Sequence, residues 1–229
     1  GVSSAASDVY KRQIAIPIIV VSELIDYWQS MYGQRGYLTM AVPARGREVF
    51  GAKVLFSLAA SLVSVVFAAL GVTAAVLVSA WARGAEVSSV FAPLREVIDG
   101  IGVGFFWGFV AFLILQMLAW IVIIEAVMSI GAKARWNRMG LGAPVIGVLA
   151  VYLIGQVLTV AAIIVVPVGL DLPSHQIVWE GSLPSMVATW GTGEDPSVLG
   201  LGFLPVPLVL AAVLAWRAVP AIEKHTSLR

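Results

Sequence analysis

Few side chains in this chain of 229 residues are of the types that catalyse reactions or bind metals. The absence of cysteine from the sequence excludes disulfides, thiolate metal sites and cysteine nucleophiles. The two histidines, His175 and His225, are isolated from each other, whereas a metal site needs several convergent ligands. Gly51-Ala52-Lys53 lacks the spacing and the hydroxyl of a phosphate-binding loop. We therefore expect no catalytic residue, no metal and no cofactor in this chain.

Three polar residues, Glu125, Gln116 and Gln156, stand inside long apolar runs of the sequence. A charge at the centre of a bilayer costs roughly 2.5–3.5 kcal/mol on insertion scales, and less near the interface. Glu125 is therefore expected to face protein or a water-filled cavity, or to be protonated. It could belong to a substrate pathway, but we favour a structural pair with Lys53 or Lys133. The two glutamines are expected to bond between helices.

Glu125, Gln116 and Gln156 lie in long stretches of apolar sequence. Residues 54–82, 139–170 and 196–216 contain no charged residue, and residues 100–132 contain only Glu125. About 20 apolar residues suffice to cross a bilayer, and such a run must be helical because lipid cannot satisfy free backbone groups. We predict an all-α fold, a polytopic transmembrane helical bundle. Its four full spans cover residues 49–82, 100–132, 140–169 and 197–216.

The N-terminal residues do not resemble the rest of the chain. Residues 1–13 resemble translated sequencing-adaptor sequence and are interpreted as a scar, the alternative being a short native cytosolic segment. Residues 14–21 are apolar but too short to span a membrane. They are predicted to be the inner end of a truncated span. Residues 14–229 would then form one membrane domain, with six spans in the intact protein.

The loop charges predict the orientation of the chain. Residues 23–53, residues 133–138 and the C-terminal tail together carry ten lysines and arginines, whereas residues 83–99 and 171–195 carry two. Positive residues accumulate on the cytoplasmic side of a membrane, so the first group and the C-terminus are expected in the cytosol. Residues 170–196 become an external loop, which either caps a translocation path or is an ordinary ordered loop. The formal net charge of +1 does not indicate a nucleic acid partner.

Glycines open the second predicted span. Gly100, Gly104 and Gly108 are spaced by four and would share one helix face. Small residues on one face allow close approach of a neighbouring helix, and we expect such a packing role. The alternative is that glycine is simply frequent in membrane helices.

The segment before the first full span combines an amphipathic helix with a distinctive loop. Leu24, Trp28 and Met31 fall on one side of a helix predicted over residues 22–32. After it, residues 32–55 read YGQRGYLTMAVPARGREVFGAKVL. This stretch resembles the loop after the second span of bacterial ABC-2 type permeases, the membrane subunits of ATP-binding-cassette exporters. The residues that match the family pattern are Gly36, Tyr37, Leu38, Thr39, Pro43, Arg45 and Lys53.

The resemblance implies a permease subunit of the bacterial cytoplasmic membrane. Residues 23–53, called here the coupling segment, would dock on a separate ABC ATPase subunit that binds ATP, and two permease copies would form a homo- or heterodimer. Where the family often has an acidic residue before the glycine, this chain has Arg35. The alternatives are an interfacial loop without a partner, in an ATPase-independent membrane transporter or a membrane assembly protein. The residues expected to contact the ATPase are Tyr37, Leu38, Thr39, Pro43, Arg45 and Arg47.

Overall fold

The computed structural model describes residues 15–33, 35–133, 142–174, 176–192 and 195–225. Within these ranges the chain is mostly helical, and four helices are long and apolar enough to cross a membrane. The predicted fold class, an all-α transmembrane bundle, is confirmed. The chain is a multi-pass membrane protein.

The described residues form nine helices and three short strands, and the four candidate spans are α3, α6, α7 and α9. The chain divides into two compact units, the first ending at Ile121 and the second beginning at Val122, so α6 contributes to both. In chain order the elements are α1 (Ala15–Met31), α2 (Gly36–Met40), α3 (Gly46–Ala82), α4 (Val87–Val90), α5 (Ala92–Ile101), α6 (Val103–Gly131), α7 (Gly142–Val165), β1 (Gly169–Asp171), β2 (Gln176–Val178), α8 (Ser182–Ala188), β3 (Val198–Gly200) and α9 (Val206–His225).

A glycine separates α5 from α6. Gly102 has a φ of 85°, a conformation that side chains with a Cβ rarely adopt, and its N–H donates to the Ile98 carbonyl at 2.8 Å. The span was predicted to begin at Gly100, but the helix that forms it begins at Val103. The run of apolar residues continues through the break, so hydrophobicity alone did not reveal it.

The last two spans differ from their predicted bounds: α7 ends before a proline, and α9 begins after a strand. α7 ends at Val165, shortly before Pro167, because the residue preceding a proline disfavours the helical conformation. α9 begins at Val206, later than predicted, because residues 198–200 form a strand instead. The helix then continues to His225. The last span is therefore shifted towards the C-terminus relative to the sequence prediction.

Between α7 and α9 the chain forms a small antiparallel sheet with the strand order β2-β1-β3. Gly169 pairs with Val178 on one side and with Gly200 on the other. The Asp171 carboxylate accepts hydrogen bonds from the N–H of Ser174 at 3.1 Å and from its Oγ at 2.5 Å, which stabilises the turn after β1. The sequence predicted only an external loop here. Residues 169–200 are called the sheet segment below.

Burial differs among the spans. Within an apolar stretch of 18 residues in each span, 33% of the residues are buried in α6, whereas 6% are buried in α3 and 6% in α7. The buried positions of α6 concentrate in its second half, where Ile123, Ala126 and Val127 lie. The second half of α6 is therefore largely buried, whereas few residues of α3 and α7 are buried, which leaves most of their surface for lipid or other chains.

Candidate functional site

The coupling segment has a small core where α1 meets α3. Tyr27, Met31, Tyr32 and Phe50 are all buried. The centroid of the Tyr32 ring lies 6.4 Å from that of Tyr27 and 5.3 Å from that of Trp28. Aromatic pairs at such distances stabilise a core beyond the area that they bury. Of the face of α1 predicted from Leu24, Trp28 and Met31, only Met31 is buried, and the other two are half-buried. Tyr27, which was not part of that face, is buried beside Met31.

Ser30 connects three helices by hydrogen bonds. Lys53 Nζ of α3 donates to Ser30 Oγ at 2.8 Å, and this hydroxyl donates in turn to the Tyr27 carbonyl at 3.3 Å. Thr39 Oγ1 of α2 donates to the Ser30 carbonyl at 2.7 Å. Ser30 is buried, so water competes little for these bonds. α1, α2 and the start of α3 are thereby held together.

Ser30 and Tyr27 were not among the predicted site residues. The signal available in the sequence was their spacing, because Tyr27, Ser30 and Met31 fall at i, i+3 and i+4 on one helix face. A serine between two large apolar residues on that face indicates a buried hydroxyl that needs partners.

α2 exposes apolar side chains on its outer side. Tyr37 is 56% exposed and Leu38 is 71% exposed, and Val42 and Pro43 beyond the helix are also exposed. Gly36, by contrast, is buried. Apolar side chains that are exposed together mark contacts with protein or membrane.

Two exposed arginines follow these apolar residues along the chain. Arg45 and Arg47 stand at the start of α3. The N–H of Arg45 donates to Glu48 Oε2 at 3.0 Å, so the carboxylate of Glu48 caps the helix and favours its positive end. The side chains of both arginines bring positive charge to the surface next to the apolar residues.

Arg35 forms an ion pair within the segment. One of its guanidinium nitrogens lies 3.7 Å from Asp26 Oδ1 of α1, and both side chains are more than half exposed. Such an exposed pair contributes at most about 1 kcal/mol. Arg35 is therefore a minor support for the orientation of α2.

Glu125 lies inside the protein rather than on a lipid-facing surface. Its exposure is 0%, and the neighbouring Ile123 and Ala126 are equally buried. Ser129 Oγ donates to the Glu125 backbone carbonyl at 2.9 Å. The carboxyl group is thus kept from lipid, where a charge is costly.

The two glutamines differ in their surroundings. Gln116 is half-buried in α6, whereas Gln156 is exposed near the middle of α7. Lipid offers no hydrogen-bond partner to an amide. The position of Gln156 therefore favours contact with a polar group of another helix.

The three glycines predicted to pack together do not share one helix face. Gly100 belongs to α5, while Gly104 and Gly108 belong to α6, beyond the break at Gly102. Among the described residues, no atom lies within 4 Å of a Cβ built on any of the three. Packing against Gly104 and Gly108 therefore stays a prediction, and its partner would not be one of the described residues.

An apolar groove with a volume of about 300 Å³ lies between the end of α6, the beginning of α7 and α9. Val127, Gly147, Val151 and Leu214 are among the residues that line it. No charged or hydrogen-bonding side chain of the described residues contributes to the lining. The groove is suited to apolar groups only.

Some predicted features lie outside the described residues, namely residues 1–13, His175 and residues 134–138 of the basic loop. In the part of the chain that the structure describes, no three histidine or carboxylate side chains are grouped so that they could hold a metal ion.

No protein-family model, no curated protein and no solved structure matches this chain. The four apolar helices establish a multi-pass membrane protein. Its resemblance to ABC-2 permeases remains a prediction.

Proposed function

We propose that this chain is the membrane-spanning permease subunit of an ABC exporter, which forms the substrate path and couples to a separate ATPase subunit. The outer side of α2 carries the proposal. Tyr37 and Leu38 are exposed, whereas the adjacent Thr39 is bonded to Ser30. Hydrogen bonds inside the segment already order it while its apolar side chains stay exposed. Such a segment loses little conformational entropy when a partner binds.

The connection between α2 and α3 supports a role in transmission. α3 follows α2 after a short turn and continues for 37 residues, a length of about 55 Å at 1.5 Å per residue. This exceeds the bilayer core, which is roughly 30 Å thick. Lys53 also bonds α3 to Ser30 of α1. A displacement of α2 when the ATPases close would therefore move α1 and α3 as well, which is the kind of rigid-body change that switches a transporter.

The charges define the partner surface that fits this segment. Apolar Tyr37 and Leu38 require a hydrophobic groove, and Arg45 and Arg47 favour acidic residues at its rim. In this proposal ATP is bound by the ATPase alone. The coupling segment and the C-terminus lie in the cytosol of a bacterial cell whose cytoplasmic membrane holds the protein.

A second permease copy completes the proposed exporter. Gln156, exposed in the middle of α7, supports this part of the proposal because the amide needs a polar neighbour within the membrane. Gly104 and Gly108, which have open space around them on α6, would permit close approach of the other copy.

An ATPase-independent transporter is the second candidate, and the fully buried Glu125 favours it. Buried acids inside a membrane often carry protons or ions in such transporters. In that case Glu125→Gln would abolish transport, and removal of Tyr37 and Leu38 would have no effect on it.

The test co-expresses the affinity-tagged chain with a candidate ABC ATPase subunit that co-purifies with it, and compares two double variants. Tyr37→Ala with Leu38→Ala should reduce ATPase co-purification at least tenfold at equal membrane abundance. The matched control is Leu55→Ala with Phe56→Ala, because these residues are similarly exposed but lie within α3. The control should retain the ATPase. Equal retention by both double variants would exclude docking through α2.

A further inference from the structure

Helix α8 has its polar side towards the protein and its apolar side outwards. Ser182 and Ser185 are buried, whereas Leu183, Met186 and Val187 are exposed. A helix on the surface of a water-soluble domain shows the opposite arrangement. The surroundings of the outer side of α8 must therefore be apolar.

The buried side of α8 is fixed to the last turn of a membrane span. Ser182 Oγ donates to the carbonyl of Ile163 at 2.9 Å, two residues before α7 ends at Val165. Carbonyls in the last turn of a helix have no partner within the helix, and lipid cannot supply one. Ser182 satisfies this group at the depth where α7 terminates.

The C-terminal end of the sheet segment, and Gly202 just after it, lie against the same turn of α7. A Cβ on Gly200 would be 2.7 Å from the Ile163 carbonyl oxygen, and a Cβ on Gly202 would overlap the Ala162 carbonyl. Only glycine allows the backbone to approach so closely. The start of α8 and the residues that follow β3 are thus both positioned against the end of the span.

The residues around α8 have the chemistry of a membrane interface. Trp179 and Trp190 flank the helix and are 87% and 83% exposed, and Ile177 of β2 is also exposed. Tryptophan is enriched where headgroups meet the hydrocarbon region. Residues 182–192 contain no charged residue, whereas Glu180 and Asp195 on either side are exposed.

We propose that the apolar side of α8, together with Trp179 and Trp190, is embedded in the lipid interface where α7 ends. The outer surface of α7 supports lipid as the occupant, because Val160, Ile164 and Val165 are exposed there and continue the apolar surface. The sheet segment would then hold the end of α7 at a fixed depth. The inference does not depend on the proposed exporter function.

The test uses the natural absence of cysteine. Val187→Cys is labelled with an environment-sensitive fluorophore, and the protein is reconstituted into phosphatidylcholine vesicles. Pro173→Cys is the matched control, because Pro173 is exposed in the turn between β1 and β2. Quenching by a phospholipid with a nitroxide high on its acyl chain should be at least threefold stronger at position 187 than at position 173. Quenching by aqueous iodide should show the reverse order.

Two results would overturn the proposal. Equal quenching by iodide at positions 187 and 173 would place α8 in water. Weak quenching by both agents, with cross-linking of unlabelled Val187→Cys between two copies, would show that a second copy covers the helix. Met186→Cys, on the same side of α8, repeats the measurement in case the first variant is poorly folded.

Discussion

The coupling segment and the sheet segment both bury hydroxyl groups and expose apolar side chains, but their charges differ. Exposed Arg35, Arg45 and Arg47 accompany Tyr37 and Leu38 in the coupling segment. The helix α8 of the sheet segment has no charged residue. Exposed apolar side chains that have charged neighbours are suited to a protein partner with a polar rim. Exposed apolar side chains without charged neighbours are suited to lipid. The exposed fraction of the apolar side chains alone would not distinguish the surface of the coupling segment from that of α8.

The anchoring contacts show the same difference. In the coupling segment the Thr39 hydroxyl donates to Ser30 of α1, which is not among the candidate spans. In the sheet segment the Ser182 hydroxyl donates to Ile163, inside the span α7. The two buried hydroxyls therefore differ in whether the acceptor belongs to a candidate span.

The largest effect is expected in a test of orientation. If the coupling segment and the sheet segment face opposite sides of the membrane, thiol labelling should be all-or-none at each. We expect Ala44→Cys, in the coupling segment, to react with an impermeant thiol reagent only after the cells are opened. Pro173→Cys, in the sheet segment, should react in intact cells. Both positions are exposed, so accessibility within the protein does not limit either reaction. Labelling of both in intact cells would contradict the predicted orientation.

The next largest effect is expected where the sheet segment meets α7. Gly202→Ala places a Cβ on the Ala162 carbonyl and should lower the free energy of unfolding by about 3 kcal/mol, the upper range for overpacking. The control is Gly71→Ala, since a Cβ there meets no described atom within 4 Å and alanine favours a helix. Thermal unfolding in detergent measures both. If Gly202→Ala is as stable as Gly71→Ala, the sheet segment is not held against α7.

The sequence predicted the spans because a long apolar run in lipid must form a helix. The helices α3 and α6 were predicted in this way. It did not predict β3, because pairing of β1 with residues distant in the chain is not visible in local hydrophobicity. The break at Gly102 is also hidden, since glycine is compatible with a helix and with a positive φ. In the candidate site, the loop pattern identified Tyr37 and Leu38, whereas Ser30 acquires its role only when three helices meet.

A smaller effect is expected when the hydrogen bond between Lys53 and Ser30, which stabilises the coupling segment, is removed. Ser30→Ala removes the acceptor of the Lys53 ammonium and should cost about 1.5 kcal/mol, as expected for a hydrogen bond to a charged group. The control is Ser64→Ala, because Ser64 Oγ donates to the carbonyl of Ala60 in its own helix. Unfolding in detergent should show a change below about 0.5 kcal/mol for the control. Equal changes would mean that the Lys53 bond does not stabilise the segment.

The smallest effect is expected at the ion pair of Arg35 with Asp26. A double-mutant cycle with Arg35→Ala and Asp26→Ala should give a coupling energy of about 0.2–1 kcal/mol, because both side chains are largely in water. Raising the salt concentration to 1 M should reduce it, since the screening length falls to about 3 Å. The same variants also refine the partner surface. If Arg35 serves only this pair, Arg35→Ala and Asp26→Ala should retain the ATPase equally. Loss of the ATPase with Arg35→Ala alone would place Arg35 in the docking contact beside Tyr37, and the surface of the coupling segment would then extend to the first residue before α2.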